Sequence, residues 1–158
     1  MRKQEVVRTR KNSLSYWYEF RNPLRVCLNY SIIRLCKWLP SMMLKRGLYR
    51  LIGVKVGKDV SVGLDVQLDI FFPDMIEIGD NSLIGYNVTI LCHEFLVKEF
   101  RKAPVKIGKN VMIGANSTVL SGVTIGDNSV ISAMSLVNKD IPKNSFVGGI
   151  PAKVIKTL

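Results

Sequence analysis

One histidine, His93, stands between Cys92 and Glu94 in a chain of 158 residues. An imidazole has an unperturbed pKa of about 6.5, so a single well-placed histidine can take the proton from a hydroxyl as its oxygen attacks. The adjacent thiol offers different chemistry, because a thiolate can itself attack an electrophilic carbon and form a covalent intermediate. Neither Leu91 nor His93 settles whether Cys92 is exposed, and a small apolar filler is the plainer reading. An imidazole base is held in place by an acceptor on its other nitrogen. Asp65, Asp69, Glu94 and a backbone carbonyl are all candidates, and spacing does not choose among them. The same three carboxylates are the acidic candidates for touching a substrate.

Other chemistries are excluded or unsupported. A single histidine cannot furnish a site built on several imidazoles, and Cys27, Cys36 and Cys92 lack metal-ligand spacing. No metal is expected. Three cysteines make no disulfide framework, which suits a reducing compartment. No glycine loop of the phosphate-cradling type is present. At 47% hydrophobic the chain can bury a core, and its length suits one domain with a small appendage. No apolar run approaches the ~18 residues of a membrane span. Arg8, Arg10, Lys11, Glu19 and Arg21 interrupt the region where a secretory signal would be apolar. The expectation is a cytoplasmic protein.

The elements that must position these groups are written in a repeat. Aliphatic residues recur every six positions in three phased runs: Val56, Val62, Leu68; Ile78, Ile84, Ile90; and Ile107, Ile113, Val119, Ile125, Ile131, Val137. A small residue often follows, as in Gly57, Gly79, Gly108 and Gly126, and the fourth position after the aliphatic is small or β-branched, as in Val60, Ser82 and Ser117. A period of six matches neither a helix nor a simple hairpin meander. It matches a solenoid of short strands, one hexad per flat side, with the aliphatic pointing inward. Three sides make an 18-residue turn, so twelve hexads predict about four coils. Two breaks interrupt the phase. Four extra residues fall around Phe72, Pro73, Asp74 and Met75, and eleven extra between Ile90 and Ile107 predict a loop over 94–104 that leaves the coil.

The net charge of +11 belongs to the front of the chain. Residues 1–55 hold thirteen Lys and Arg against Glu5 and Glu19, whereas residues 56–158 balance ten against ten. Texture changes at the same place. The prediction is a basic helical segment over 1–55, a β-solenoid over 56–142 and a tail over 143–158. Asn22-Pro23 reads as a helix cap with a first-turn proline, and Pro40 as a stop. Three roles are open for this segment. It could seal the open end of the coil or pack on a neighbouring subunit. It could dock on an anionic membrane surface, at the inner face. Tyr16, Trp17, Tyr18 and Phe20 among cations would also suit nucleic acid, but no recognised motif accompanies them and that partner is not expected.

Three stretches carry a resemblance: Ile78 through His93, Val105 through Pro142, and the closing Gly148-Gly-Ile-Pro-Ala-Lys-Val-Ile-Lys156. On these the chain resembles the hexapeptide-repeat acyltransferases over residues 54–157. A histidine ahead of an extruded loop, joined to a Gly-Ile-Pro-Ala-Lys terminus, is similar to the maltose, galactoside and xenobiotic O-acetyltransferase branch. The resemblance implies a left-handed parallel β-helix, opposite in hand to the general crossover preference. The front segment is much shorter than the helical region of serine acetyltransferases. It leaves no room for the sugar-nucleotide domain of the hexapeptide nucleotidyltransferases. The three zinc-binding histidines of gamma-class carbonic anhydrases are missing. Leu48 through Asp59 looks most like enzymes that acetylate surface-polysaccharide sugars.

By resemblance, the activity is direct acetyl transfer from acetyl-CoA to a hydroxyl of a saccharide or related acceptor, with His93 as general base between subunits of a homotrimer. Asp69 matches roughly where relatives contact the acceptor sugar. Acetyl-CoA would run along the coil edge past Ala115, Ala133, Asn138 and Lys139, and meet Lys153 and Lys156 near its phosphates. Met112 stands where some relatives have an aromatic ring. N-acetylation of an amino sugar, or acetylation of an antibiotic, is the alternative activity. A β-helical scaffold or membrane-docking module is the non-enzymatic alternative.

Overall fold

The computed structural model describes residues 3–158. In chain order the front holds β1 (Glu5–Arg8), α1 (Trp17–Phe20), α2 (Pro23–Trp38) and α3 (Met42–Leu51). The coil begins with β2 (Lys55–Val56), β3 (Ser61–Val62) and β4 (Gln67–Leu68), then β5 (Ile76–Ile78), β6 (Leu83–Ile84) and β7 (Thr89–Ile90). The chain leaves it as a hairpin, β8 (His93–Phe95) and β9 (Glu99–Lys102). It returns as β10 (Val105–Ile107), β11 (Met112–Ile113) and β12 (Thr118–Val119), followed by β13 (Thr124–Ile125), β14 (Val130–Ile131) and β15 (Leu136–Val137). The chain closes with β16 (Ser145–Gly148) and β17 (Lys153–Thr157).

These strands stack in parallel on three sides of a left-handed β-helix. The first side is β2-β5-β10-β13, the second β3-β6-β11-β14-β16 and the third β4-β7-β12-β15, with β17 antiparallel on the edge of the second. All twelve phased aliphatics are buried along the axis. The period of six works because, at the corners that follow the first and second sides and after Val119, the third residue after the aliphatic turns the corner with positive φ. Asn81, Asn110 and Asn128 do so at φ 57, 53 and 58, and Gly122 at φ 78. Asn and Asp visit this left-handed region at lower cost than other side chains. The glycine after the aliphatic answers a different demand: a Cβ on Gly114 would lie 2.4 Å from the Ala133 nitrogen in the next coil.

The corner asparagines also bond to one another. Between the first and second sides, Asn81 donates to Asn110 (2.9 Å), Asn110 to Asn128 (3.0 Å) and Asn128 to Asn144 (3.0 Å). Asn144 belongs to a partial fifth turn beyond the four expected. There Ile141 bridges Ile125 and Val147 pairs with Ile131. The partners lie 16 residues apart rather than 18, so a strict hexad count misses them.

The two longer helices close the open end of the coil. Within the coil, the N–H after an inward aliphatic donates to the carbonyl of that aliphatic in the next turn, as Gly57 to Ile78 and Gly63 to Ile84. The first turn has no predecessor, so the Val56, Val62 and Leu68 carbonyls would be orphaned. Arg50 donates to Val56 (2.8 Å), fully buried Lys45 to Val62 (3.0 Å) and Gln67 to Leu68 (2.9 Å). Burial pulls the Lys45 ammonium below the ordinary lysine value, partly countered by Cys36 and Asp65. The front segment is not wholly helical. Glu5–Arg8 pair with β9 as an antiparallel strand, because the departing hairpin presents an open edge.

Candidate functional site

The site lies at the corner between the third and first sides, where both breaks in the repeat fall. Asp69 follows β4 and is 1% exposed. One carboxylate oxygen accepts from the Phe71 and Phe72 N–H groups, both at 2.9 Å. The other accepts from the Cys92 N–H (2.7 Å) and faces His93 Nδ1 at 2.5 Å. Four donors occupy the roughly four lone-pair positions of a carboxylate. The local Asp-Ile-Phe-Phe turn and the coil stacked beneath it thus hold the carboxylate rigidly behind the imidazole.

That contact sets the tautomer: Nδ1–H donates to Asp69, and Nε2 keeps its lone pair. The His93 side chain is 13% exposed and sits among phenylalanines. The Phe71 and Phe95 ring centres both lie 4.8 Å from its own, near edge-on, and those of Phe72 and Phe100 at 5.9 and 6.2 Å. The front segment adds a second layer, with Phe20 stacked on Phe100 at 4.1 Å and Trp17 edge-on to Phe71 at 5.8 Å. The aromatic run in the basic segment therefore builds the wall of this site.

Among the orienting candidates, Asp69 meets the ring. Its carboxylate oxygens are occupied by the Phe71, Phe72 and Cys92 N–H groups and by His93. Asp65 lies across the third side, at a left-handed corner, bonded to the Tyr86 hydroxyl. Glu94 points away from the imidazole along β8 and is reached by the Ser121 hydroxyl (3.4 Å). Burial, reinforced by the Asp69 charge, pushes the Cys92 thiol far up, so a thiolate nucleophile is disfavoured.

Ala115 and Ala133 occupy one corner in consecutive turns, between the second and third sides. Asn138 and Lys139 follow β15 at the next corner, and the Asn138 side-chain oxygen is buried without a hydrogen-bond partner. Lys153 and Lys156 are exposed on β17, with the Lys156 ammonium 5.8 Å from the Phe146 ring centre. The structure thus separates the proposed cofactor residues from one another along an edge, rather than gathering them in one cluster. The phenylalanine cage and β1 were missed by sequence reasoning. The four residues inserted before Ile78 were the available signal for the cage.

The repeat matches the family model described as hexapeptide repeat of succinyl-transferase over residues 104–136. A Bacillus subtilis (strain 168) protein, YvoF, named provisionally as an acetyltransferase, is 48% identical over 92% of this chain and 86% of its own length. The maltose O-acetyltransferase structure from Clostridium difficile 630 superposes with TM-score 0.69 at 27% identity, covering 85% of this chain and 87% of that one. A galactoside acetyltransferase in complex with coenzyme A superposes with TM-score 0.67 at 32% identity, covering 89% and 82%. A left-handed coil with these relatives places the chain in a family: it belongs to the hexapeptide-repeat acetyltransferases.

Proposed function

We propose that the protein is an acetyl-CoA-dependent O-acetyltransferase acting on a hydroxyl of a saccharide or related acceptor. The observation that carries this is the His93 Nδ1 to Asp69 contact at 2.5 Å, with the carboxylate buried and Nε2 left as the base. Nε2 takes the acceptor proton as the hydroxyl oxygen bonds to the thioester carbonyl carbon. The carbon–sulfur bond then breaks, and the proton passes from the imidazolium to the departing thiolate. Asp69 stabilises the transient imidazolium across a dry contact. The high Cys92 thiol value favours this direct transfer over an acyl-cysteine.

Coenzyme A in the galactoside relative supports acetyl-CoA as donor here. Ala115 and Ala133 leave the coil edge open to a pantetheine arm, and Asn138 offers an unpartnered acceptor. Lys139, Lys153 and Lys156 would serve as point charges for the phosphates. A homotrimer is supported by the outward residues of the second side beyond Ser61, namely Leu83, Met112, Val130 and Phe146, an apolar ladder unlike Lys55, Glu77 and Lys106 on the first. The test is a panel of hydroxyl acceptors assayed by release of free CoA thiol. His93→Ala should lower kcat by about 10³–10⁴-fold with CoA affinity unchanged; near-normal turnover in that variant would sink the mechanism.

A further inference from the structure

The outward face of α2 has a composition the fold does not explain. Its inward face buries Val26, Asn29, Ile32, Ile33 and Cys36. On the opposite side Leu24, Leu28, Leu35 and Trp38 stand 81%, 46%, 55% and 75% exposed. Their spacing of four, seven and three residues puts them on one stripe of a helix. Single exposed apolar residues are ordinary on a soluble surface, whereas a continuous stripe marks a contact. The charge around it has one sign. Residues 20–54 contain seven Lys and Arg and no Asp or Glu. Lys45, Arg50, Arg25, Arg21 and Arg46 are engaged by carbonyls, by Asp74 or by Asp59, leaving Arg34 and Lys37 on the stripe's own helix.

We infer that this face of α2 docks the protein on an anionic bilayer. Leucines and an exposed tryptophan flanked by cations are suited to the headgroup and acyl boundary, where negative lipids complement the charge. A second copy is a poorer occupant. The same face would bring acid-free cationic surfaces together, and residues 56–158 carry no net charge to complement it. The buried side of the helix gives the docking a consequence. Asn29 donates to the Ile70 carbonyl at 2.9 Å, beside Asp69, so α2 separates bilayer and site by about one helix diameter, ~10 Å. Presentation of the acceptor hydroxyl at the bilayer surface rests on the catalytic reading; the docking does not.

The test is flotation of the full chain with phosphatidylglycerol–phosphatidylcholine vesicles and with phosphatidylcholine alone. Wild type should float only with the anionic vesicles, and less as salt rises. Leu28→Gln/Leu35→Gln/Trp38→Gln should lower partitioning at least tenfold while keeping the sedimentation coefficient and the CoA release with a soluble acceptor. Arg34→Glu/Lys37→Glu, which spares the apolar stripe, should lower it as well. Absence of anion-dependent flotation, or unchanged partitioning in both variants, overturns the inference. A changed oligomer in the glutamine variant also overturns it, because the stripe would then be a subunit contact. Failed CoA release in wild type that still floats would strike the catalytic reading alone.

Discussion

At the corner between the first and second sides the chain repeats itself; at the corner between the third and first it departs from the coil twice. The first corner carries the asparagine ladder and, one residue earlier in each turn, Lys58, Asp80, Lys109, Asp127 and Lys143 in alternating charge. Asp80 accepts from the Lys58 N–H (2.8 Å) and meets the Lys109 ammonium (3.4 Å). The other corner has no ladder. It holds Asp69, His93 and a hairpin edge covered by β1. Regular stacking satisfies the backbone and leaves nothing free to react. The proposed chemistry sits where inserted residues let a carboxylate from one turn meet an imidazole from the next.

Substitutions at the two corners should separate rate from stability. Next to His93→Ala, the largest effect belongs to Asp69→Asn, which should lower kcat by about 10³-fold by disturbing the His93 tautomer, with CoA binding retained by calorimetry. At the repeating corner, Asn110→Ala removes two ladder bonds and puts alanine at φ 53; it should cost about 2 kcal/mol in denaturant melts and leave kcat unchanged. A loss of rate with Asn110→Ala would erase the distinction. Met134→Asn tests the intermediate corner, where Asn87 donates to Asn116 (2.9 Å) and the next residue in line is methionine at φ 59. Asparagine there should add about 1 kcal/mol.

The smallest effect concerns acid. The Lys58 N–H first, and then Lys109, hold the Asp80 carboxyl below the usual carboxylate range. A depressed folded value means that its stabilisation is complete above the unfolded carboxyl value, near pH 4, and fades as pH falls through the folded value. Asp80→Asn should therefore lower the neutral plateau slightly and shallow the acid limb of the stability curve. Solvent exposure keeps the change slight.

Much of the coil was legible because its signal is local. Each inward aliphatic and each small neighbour recurs at fixed spacing, and burial acts on every turn alike. The left-handed position went unread, although Asp59, Asn81, Asn87 and Asn128 share one place in the hexad. The partial fifth turn went unread because Ile141 falls two residues early. In the front segment, β1 has no strand signal strong enough to stand alone; it forms only because β9 supplies an edge. Phe20 and Trp17 likewise read as a surface run until the hairpin folds beneath them.

The sequence by itself determined the coil, its inward residues and the two places where it must open, since a period and its interruptions need no knowledge of distant contacts. Only the tertiary structure decided which acid meets the His93 ring. Asp69 and His93 are 24 residues apart, and neither identity nor spacing distinguishes Asp69 from Asp65 or Glu94. Stacking one turn on the next does: it brings one carboxylate under the imidazole, turns Asp65 round the preceding corner, and lets strand alternation carry Glu94 to the opposite face.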